Sequence, residues 1–170
     1  MVSFGRQLRD GGRWRRTYSR VAWDRLDDFE WDQMGYTMNV NEQAVASTLQ
    51  QYERALNASD TNAVLPLYTD DGVFMPPYSP SAIGKEAVRN AYDAVFAAIR
   101  LTVKFNVAEI VEMCPDWVFA RTNSAGTTLN HFTGMTSAEA NQELFILRKG
   151  SDGKFRIARY SFSSTNAKSM

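Results

Sequence analysis

The side chain with the most chemistry to offer is Glu143. In Glu143-Leu144-Phe145-Ile146-Leu147, the two-residue alternation of a strand puts Glu143 on the same face as Phe145 and Leu147. A carboxylate facing an aromatic interior is desolvated. Its pKa rises, and it then suits general acid–base work near neutrality. The alternative is a Glu143 at a solvated mouth, paired with an arginine or with water. Three tyrosines add hydroxyl groups, since Tyr52, Tyr68 and Tyr92 each fall on the apolar side of an expected helix. The alternative for them is a set of hydroxyls satisfied inside a core.

Other constellations point away from chemistry. Asp70-Asp71 beside Gly72 reads as a turn cap rather than a metal site. A single histidine, His131, leaves no metal cluster and no catalytic triad. Cys114, before Pro115, has no cationic cluster beside it to stabilise a thiolate and reads as structural. Gly84-Lys85-Glu86 lacks the further glycines of a phosphate loop and reads as a helix start. No metal and no cofactor are expected.

The whole chain narrows the classes further. At 170 residues it suits one domain with a sizeable core. No apolar run approaches the ~18 residues of a membrane span. Lys+Arg and Asp+Glu balance at 19 each, so neither nucleic acid nor membrane is an expected partner. One cysteine excludes an intrachain disulfide and fits a reducing compartment, hence the cytoplasm. The amino-terminal extension, residues 1–38, is uneven: six Arg against one acid in residues 1–20, then one Arg against five acids in 21–36. It has no apolar centre for a secretory signal, and its acids argue against a transit peptide. A weakly structured tail is expected, or a gene start read too far upstream of Met34 or Met38. The less favoured reading is a basic arm for an anionic partner.

Residues 39–166 supply the elements. A helix is expected over 41–57 with Asn41 as N-cap, its stripe being Val45, Leu49, Tyr52 and Leu56. A short second helix covers 61–68. Asp70-Asp71-Gly72 then makes a tight turn into a short strand that Pro76 and Pro77 stop. A third helix runs from Ile83-Gly84 to about 100, with Val88, Ala91, Tyr92, Val95, Phe96 and Ile99 inward. Strands follow over 101–113, 117–130, 141–149 and 155–163, with 131–140 a polar connection and Gly126 a bulge or crossing point. Helices first and a meander of long antiparallel strands second imply α+β, the helices packed on one concave face of a bent sheet.

Four stretches carry a family resemblance: the run from Tyr52-Glu53-Arg54-Ala55-Leu56-Asn57 to Ser59-Asp60, Leu67-Tyr68-Thr69-Asp70-Asp71-Gly72, Gly84-Lys85-Glu86-Ala87-Val88, and Asp152-Gly153-Lys154-Phe155 to Tyr160. Over residues 41–165 the chain resembles the nuclear transport factor 2-like superfamily, the cone-shaped α+β fold of ketosteroid isomerases and SnoaL-like polyketide cyclases. Phe145 to Lys149 with Ile157 to Phe162 is similar to its DUF4440 or SgcJ/EcaC-like branch. The resemblance implies three helices in the concave face of a curved, mostly antiparallel sheet, but no reaction, because the scaffold hosts enzymes, binders and assembly domains. The isomerases hold a carboxylate base at the proline-flanked end of the first strand, a tyrosine oxyanion donor on the first helix, and a protonated aspartic acid on a later strand. By that resemblance Tyr52 is the oxyanion donor, with Tyr68 and Tyr92 as supporting tyrosines. Pro76 stands at the base position and Phe145 at the second donor position, so steroid isomerisation by that route is not expected.

What remains is a tyrosine cluster in an apolar cup for a small hydrophobic molecule. Alternation turns Ala158, Tyr160 and Phe162 inward on the last strand, with Ile157, Arg159 and Ser161 outward. Of the two phases of 117–124, the set Ala120, Thr122 and Ser124 is expected inside, since Arg121 in the other set is costly to bury. Met75, Tyr78, Phe96 and Phe105 complete an apolar wall. The expected chemistry is Glu143 as proton shuttle and Tyr52 as donor to a developing oxyanion on a carbonyl or enol compound, in an isomerase-, cyclase- or dehydratase-like enzyme. Ligand binding without chemistry is a second class. An association domain, as in calmodulin-dependent kinases, is a third. An outward Ile157 supports a homodimer through the sheet.

Overall fold

The computed structural model describes residues 38–166; the expectations for the amino-terminal extension fall on residues outside that span, Met38 apart. Helices α1 (Val40–Asn57) and α2 (Thr61–Val64) and a 3-10 turn (Leu65–Leu67) come first. Strands β1 (Tyr68–Met75) and β2 (Ala82–Ile83) and helix α3 (Lys85–Ala98) follow, then β3 (Ile99–Cys114), β4 (Trp117–Asn130), β5 (Thr136–Lys149) and β6 (Phe155–Ser164). The strands form one curved six-stranded sheet in the order β2-β1-β6-β5-β4-β3. It is antiparallel except where β1 runs parallel to β6. The class is α+β.

Helix α1 starts at a capping box two residues earlier than expected. Asn39 Oδ1 accepts from the Glu42 amide at 2.9 Å, and Glu42 Oε2 accepts from the Asn39 amide at 2.8 Å. Asn41 lies inside the helix, and its side chain joins Glu112 and Lys149 instead. The stripe Val45, Leu49, Tyr52 and Leu56 is buried. On its flank, Glu53 accepts from the Phe105 amide at 2.7 Å, and Asn57 makes two 2.8 Å bonds with the Val103 backbone. Those bonds lock α1 onto β3. The second helix is shorter than expected, because Pro66 lies in a 3-10 turn and Tyr68 already opens β1.

Three further differences have local causes. Asp70-Asp71-Gly72 is not a turn ahead of a strand but part of β1, where the pairing with β6 slips between Tyr68 and Val73. Gly72 is required for closeness, not for a special backbone angle: a Cβ there would lie 2.8 Å from Tyr68 Cδ1 and 2.9 Å from Thr69 O. Residues 136–140, expected in a polar connection, pair with 125–129 and lengthen β5. Only 131–135 turns, with the Asn130 side chain accepting from the Phe132 and Thr133 amides. Ile157 is not outward. A bulge in β6 pairs Leu147 with Ile157 but Ile146 with Arg159, so Ile157 and Ala158 are both fully buried. Of the two expectations for Gly126, a bulge or a crossing point, the second fits: its ladder continues unbroken, and a Cβ would run into the Thr102 carbonyl.

Candidate functional site

Aromatic rings fill the side of the sheet that meets α1 and α3. Phe145 stacks on Tyr160 (4.4 Å between centroids), Tyr160 on Phe74 (5.5 Å) and Phe74 on Tyr92 of α3 (4.8 Å). Tyr52 of α1 meets Phe145, Tyr160 and Tyr92 edge-on at 5.7, 5.4 and 6.3 Å. This inner face therefore draws its rings from two helices and three strands.

The hydroxyls of the ring cluster form a chain. Tyr52 Oη lies 2.5 Å from Tyr92 Oη, which lies 2.9 Å from Tyr68 Oη. All three side chains are buried. Burial raises each phenol well above its ordinary pKa, and for Tyr52 the neighbouring Tyr160, Tyr92 and Tyr68 raise it further. Three hydroxyls have three protons, and two bonds use two of them. If Tyr68 donates to Tyr92 and Tyr92 to Tyr52, the Tyr52 proton is left for the Tyr160 hydroxyl, which it also bonds, or for an external acceptor that takes its place. That is the arrangement an oxyanion donor needs.

Glu143 lies on β5 within this face, and its neighbours are hydroxyls rather than a cation. Thr122 Oγ1 donates to Glu143 Oε2 at 2.5 Å and Ser124 Oγ donates to Oε1, both from β4. Glu143, Thr122 and Ser124 are all buried. Burial raises the Glu143 pKa, the two hydroxyl bonds oppose the rise, and the charge of Glu139 adds to it. Tyr160 is also held neutral by burial and then by the Glu143 charge. The result is a carboxyl group inside an aromatic wall, anchored at both oxygens.

The remaining wall residues divide. Phe96 is buried against Tyr92 at 5.7 Å. Half-buried Phe105 meets Tyr52 at 5.9 Å, and half-buried Phe162 stacks on Tyr160 at 5.7 Å. Met75 is half-buried at the end of β1. Tyr78 is not with them: it is fully exposed, at a backbone φ of 61° in the connection after Pro77. Sequence reasoning missed Asn141 and Glu139, which share the face and phase of Glu143. Glu139 lay in the stretch read as a connection; Asn141 opened the expected strand in the phase of Glu143, and that alternation was the signal for it.

The charged residues of the β1 corner belong elsewhere. An open groove of about 410 Å³ is lined by Pro66, Asp70, Lys85, Arg148 and Arg156 among others. Its cations are matched by acids: Lys85 with Asp70, Arg148 with Asp71 and Arg156 with Asp152. Asp70 and Asp71 thus hold the surface of β1 to its neighbours.

The family model described as the SnoaL-like domain matches residues 49–160. A solved ketosteroid isomerase-like protein from Erwinia carotovora atroseptica SCRI1043 is 35% identical, with 76% of this chain and 100% of that one covered, at a TM-score of 0.74. A conserved protein from Planctomyces limnophilus DSM 3776 shares the fold at 21% identity, 73% and 97% coverage and a TM-score of 0.65. So does a nuclear transport factor 2-like superfamily protein from Salmonella enterica serovar Typhimurium LT2, at 14% identity, 75% and 93% coverage and a TM-score of 0.64. No curated protein matches. No helix among the described residues is long and apolar enough to cross a membrane. With the match spanning α1 to β6 and the helix-then-meander order that goes with it, this chain belongs to the SnoaL-like domain family of the nuclear transport factor 2-like superfamily.

Proposed function

We propose that the protein binds a small, mostly apolar carbonyl or enol compound in a cone closed by the three helices over the concave face of the sheet, and moves a proton on it. Glu143, as carboxylate, takes a proton from the carbon beside the carbonyl and returns it at another position. Tyr52 donates to the enolate oxygen while that charge exists. Protons balance over the cycle, and the step calls on no cofactor. Pro76 and Phe145, at the base and second-donor positions of the isomerase resemblance, can neither take nor give a proton. The steroid isomerase route is therefore not proposed.

The observation that carries this reading is the buried carboxyl of Glu143, held by Thr122 and Ser124 and in no ion pair among the described residues. An acid kept there at the cost of desolvation is more readily explained by proton transfer than by stability. A thermal-shift screen of apolar carbonyl compounds would find a ligand, and proton–deuterium exchange on that ligand would be followed by NMR. The expected result is exchange in the wild type, lost in Glu143→Gln with binding retained, and slowed in Tyr52→Phe. Full exchange in both variants would remove the catalytic reading and leave a ligand binder.

The partner expected beyond the ligand is a second copy of the chain. Ile157 does not support it, but Val111, Phe119 and Ile146 lie side by side in register across β3, β4 and β5 on the other face, next to Leu144. That apolar row is only partly covered, which suits a dimer through the sheet. Free Cys114 is in keeping with a reducing compartment such as the cytoplasm.

A further inference from the structure

Next to Glu143 on the same face of β5 lie Asn141 and Glu139, at two-residue intervals. Asn141 is only 9% exposed. Its Nδ2 donates to Glu139 Oε1 at 2.8 Å, and Thr128 Oγ1 donates to Glu139 Oε2 at 3.2 Å. That bond fixes the amide, so Oδ1 is turned away from Glu139. Buried Asn141 Oδ1 has no hydrogen-bond partner, and it is the only such buried side-chain atom among the described residues.

The surroundings say what kind of group would satisfy it. In register, Asn141 faces Ser124, whose hydroxyl is already committed to Glu143. Glu143 faces Phe162, and Ser124 faces Phe105 on its other side. Neither Glu139 nor Glu143 takes part in an ion pair among the described residues. On its β6 side Asn141 faces Ser164, whose hydroxyl donates to the Ala140 carbonyl. The neighbouring donors are thus spent on other acceptors, and what remains is acceptor capacity, with the half-buried rings of Phe105 and Phe162 on the adjacent pairs. A buried acceptor left without a donor is destabilising, and native interiors rarely tolerate one. A ligand that brings a donor relieves that cost; one that brings another acceptor is repelled.

We infer that the molecule bound on the inner face carries a hydroxyl or a protonated amine at one end, and that Asn141 Oδ1 receives this donor and selects for it. The inference rests on the reading of that face as a ligand site. It makes Asn141 a specificity residue for the polar end of an otherwise apolar carbonyl compound, with Phe105 and Phe162 against the body next to it.

Three probes with one apolar body test it: para-hydroxyphenyl cyclohexanone, its methyl ether and its aminomethyl analogue, measured by calorimetry on the full chain. The expected result is about tenfold tighter binding of the hydroxyl compound, the amine or both than of the ether, the scale of one buried hydrogen bond. Asn141→Leu should abolish that preference by weakening the donor compounds while leaving the ether unchanged. Asn141→Ser, which removes the carbonyl and keeps a polar side chain, gives the same test where the leucine variant does not fold. Equal affinity for all three in the wild type would mean that solvent satisfies Asn141 equally well, and the inference would fall while the ligand site stood. A preference surviving both substitutions would also overturn it. Failure of all three compounds to bind would overturn the ligand-site reading itself, and this inference with it.

Discussion

Tyr52 and Tyr92, 40 residues apart in sequence, bring their phenol oxygens to 2.5 Å, and Tyr92 holds Tyr68 at 2.9 Å with the same oxygen. Tyr92 is therefore the middle of the chain, and the three hydroxyls are not equivalent. Tyr92→Phe removes both of these bonds at once, whereas Tyr52→Phe or Tyr68→Phe removes one and leaves the other pair bonded. An unsatisfied buried hydroxyl costs about 1–3 kcal/mol. Urea denaturation should find Tyr92→Phe the most destabilised of the three, by about 1–2 kcal/mol beyond either end variant. Equal losses in all three would mean that the hydroxyls act independently.

Glu143 sets a pH signature. Burial, the largest influence, raises its folded-state pKa above that of the unfolded chain. Its contribution to stability is then fully present below the unfolded carboxylate pKa and is lost as pH rises through the raised folded value. Exposed Asp70 and Asp71 are shifted the opposite way by their partners, Asp70 chiefly by Lys85 and Asp71 chiefly by Thr69. Their contribution is present above the unfolded pKa and is lost as pH falls through the lowered one. Comparing the wild type with Glu143→Gln at each pH cancels those aspartates. The stability difference should move in favour of the glutamine variant as pH rises from about 4 towards neutrality. A difference that stays flat would show that Glu143 is no more protonated when folded than when unfolded.

These residues also mark how far the sequence could be read. Strict alternation joins Thr122 with Ser124 and Glu143 with Phe145, and the cost of burying Arg121 picked the phase of β4, so their common face was legible. The stripes of α1 and α3 were legible for the same reason, and they carry Tyr52 and Tyr92. What alternation could not reveal was a place where it breaks. The β6 bulge turns Ile157 inward beside Ala158, and the slip in β1 draws Asp70-Asp71-Gly72 into a strand. Both depend on the neighbouring strand, not on local composition. Residues 136–140 were missed because Thr136-Ser137-Ala138-Glu139-Ala140 has little strand propensity of its own, and β4 supplies the ladder. That miss hid Glu139, and with it the partner that orients Asn141, from the candidate site.

The β3–β4 crossing gives a sharp test of the sheet. A Cβ on Gly126 would lie 2.0 Å from the Thr102 carbonyl oxygen and 2.8 Å from Val103 Cα, both backbone atoms that cannot swing aside. Gly126→Ala must part the two strands next to the β3 segment that Asn57 bonds. Its cost should exceed the common range of single substitutions, at about 3 kcal/mol or more by chemical denaturation. A near-neutral Gly126→Ala would mean that the strands do not approach this closely.

The outer row Val111, Phe119 and Ile146 tests the expected dimer without touching the inner face. Phe119 and Ile146 pair directly across β4 and β5, and Val111 pairs with Phe119 from β3. Because these side chains are only partly covered, a charge at Phe119 adds little desolvation to a monomer but would be buried opposite its own copy in a two-fold interface. Sedimentation equilibrium should find the wild type dimeric and Phe119→Glu monomeric, with the circular dichroism of the fold retained. Glu143 and Tyr52 face the opposite side of the sheet, so ligand binding should survive the change. A wild type that sediments as a monomer would remove the interface, and a dimer that withstands Phe119→Glu would put it on another surface.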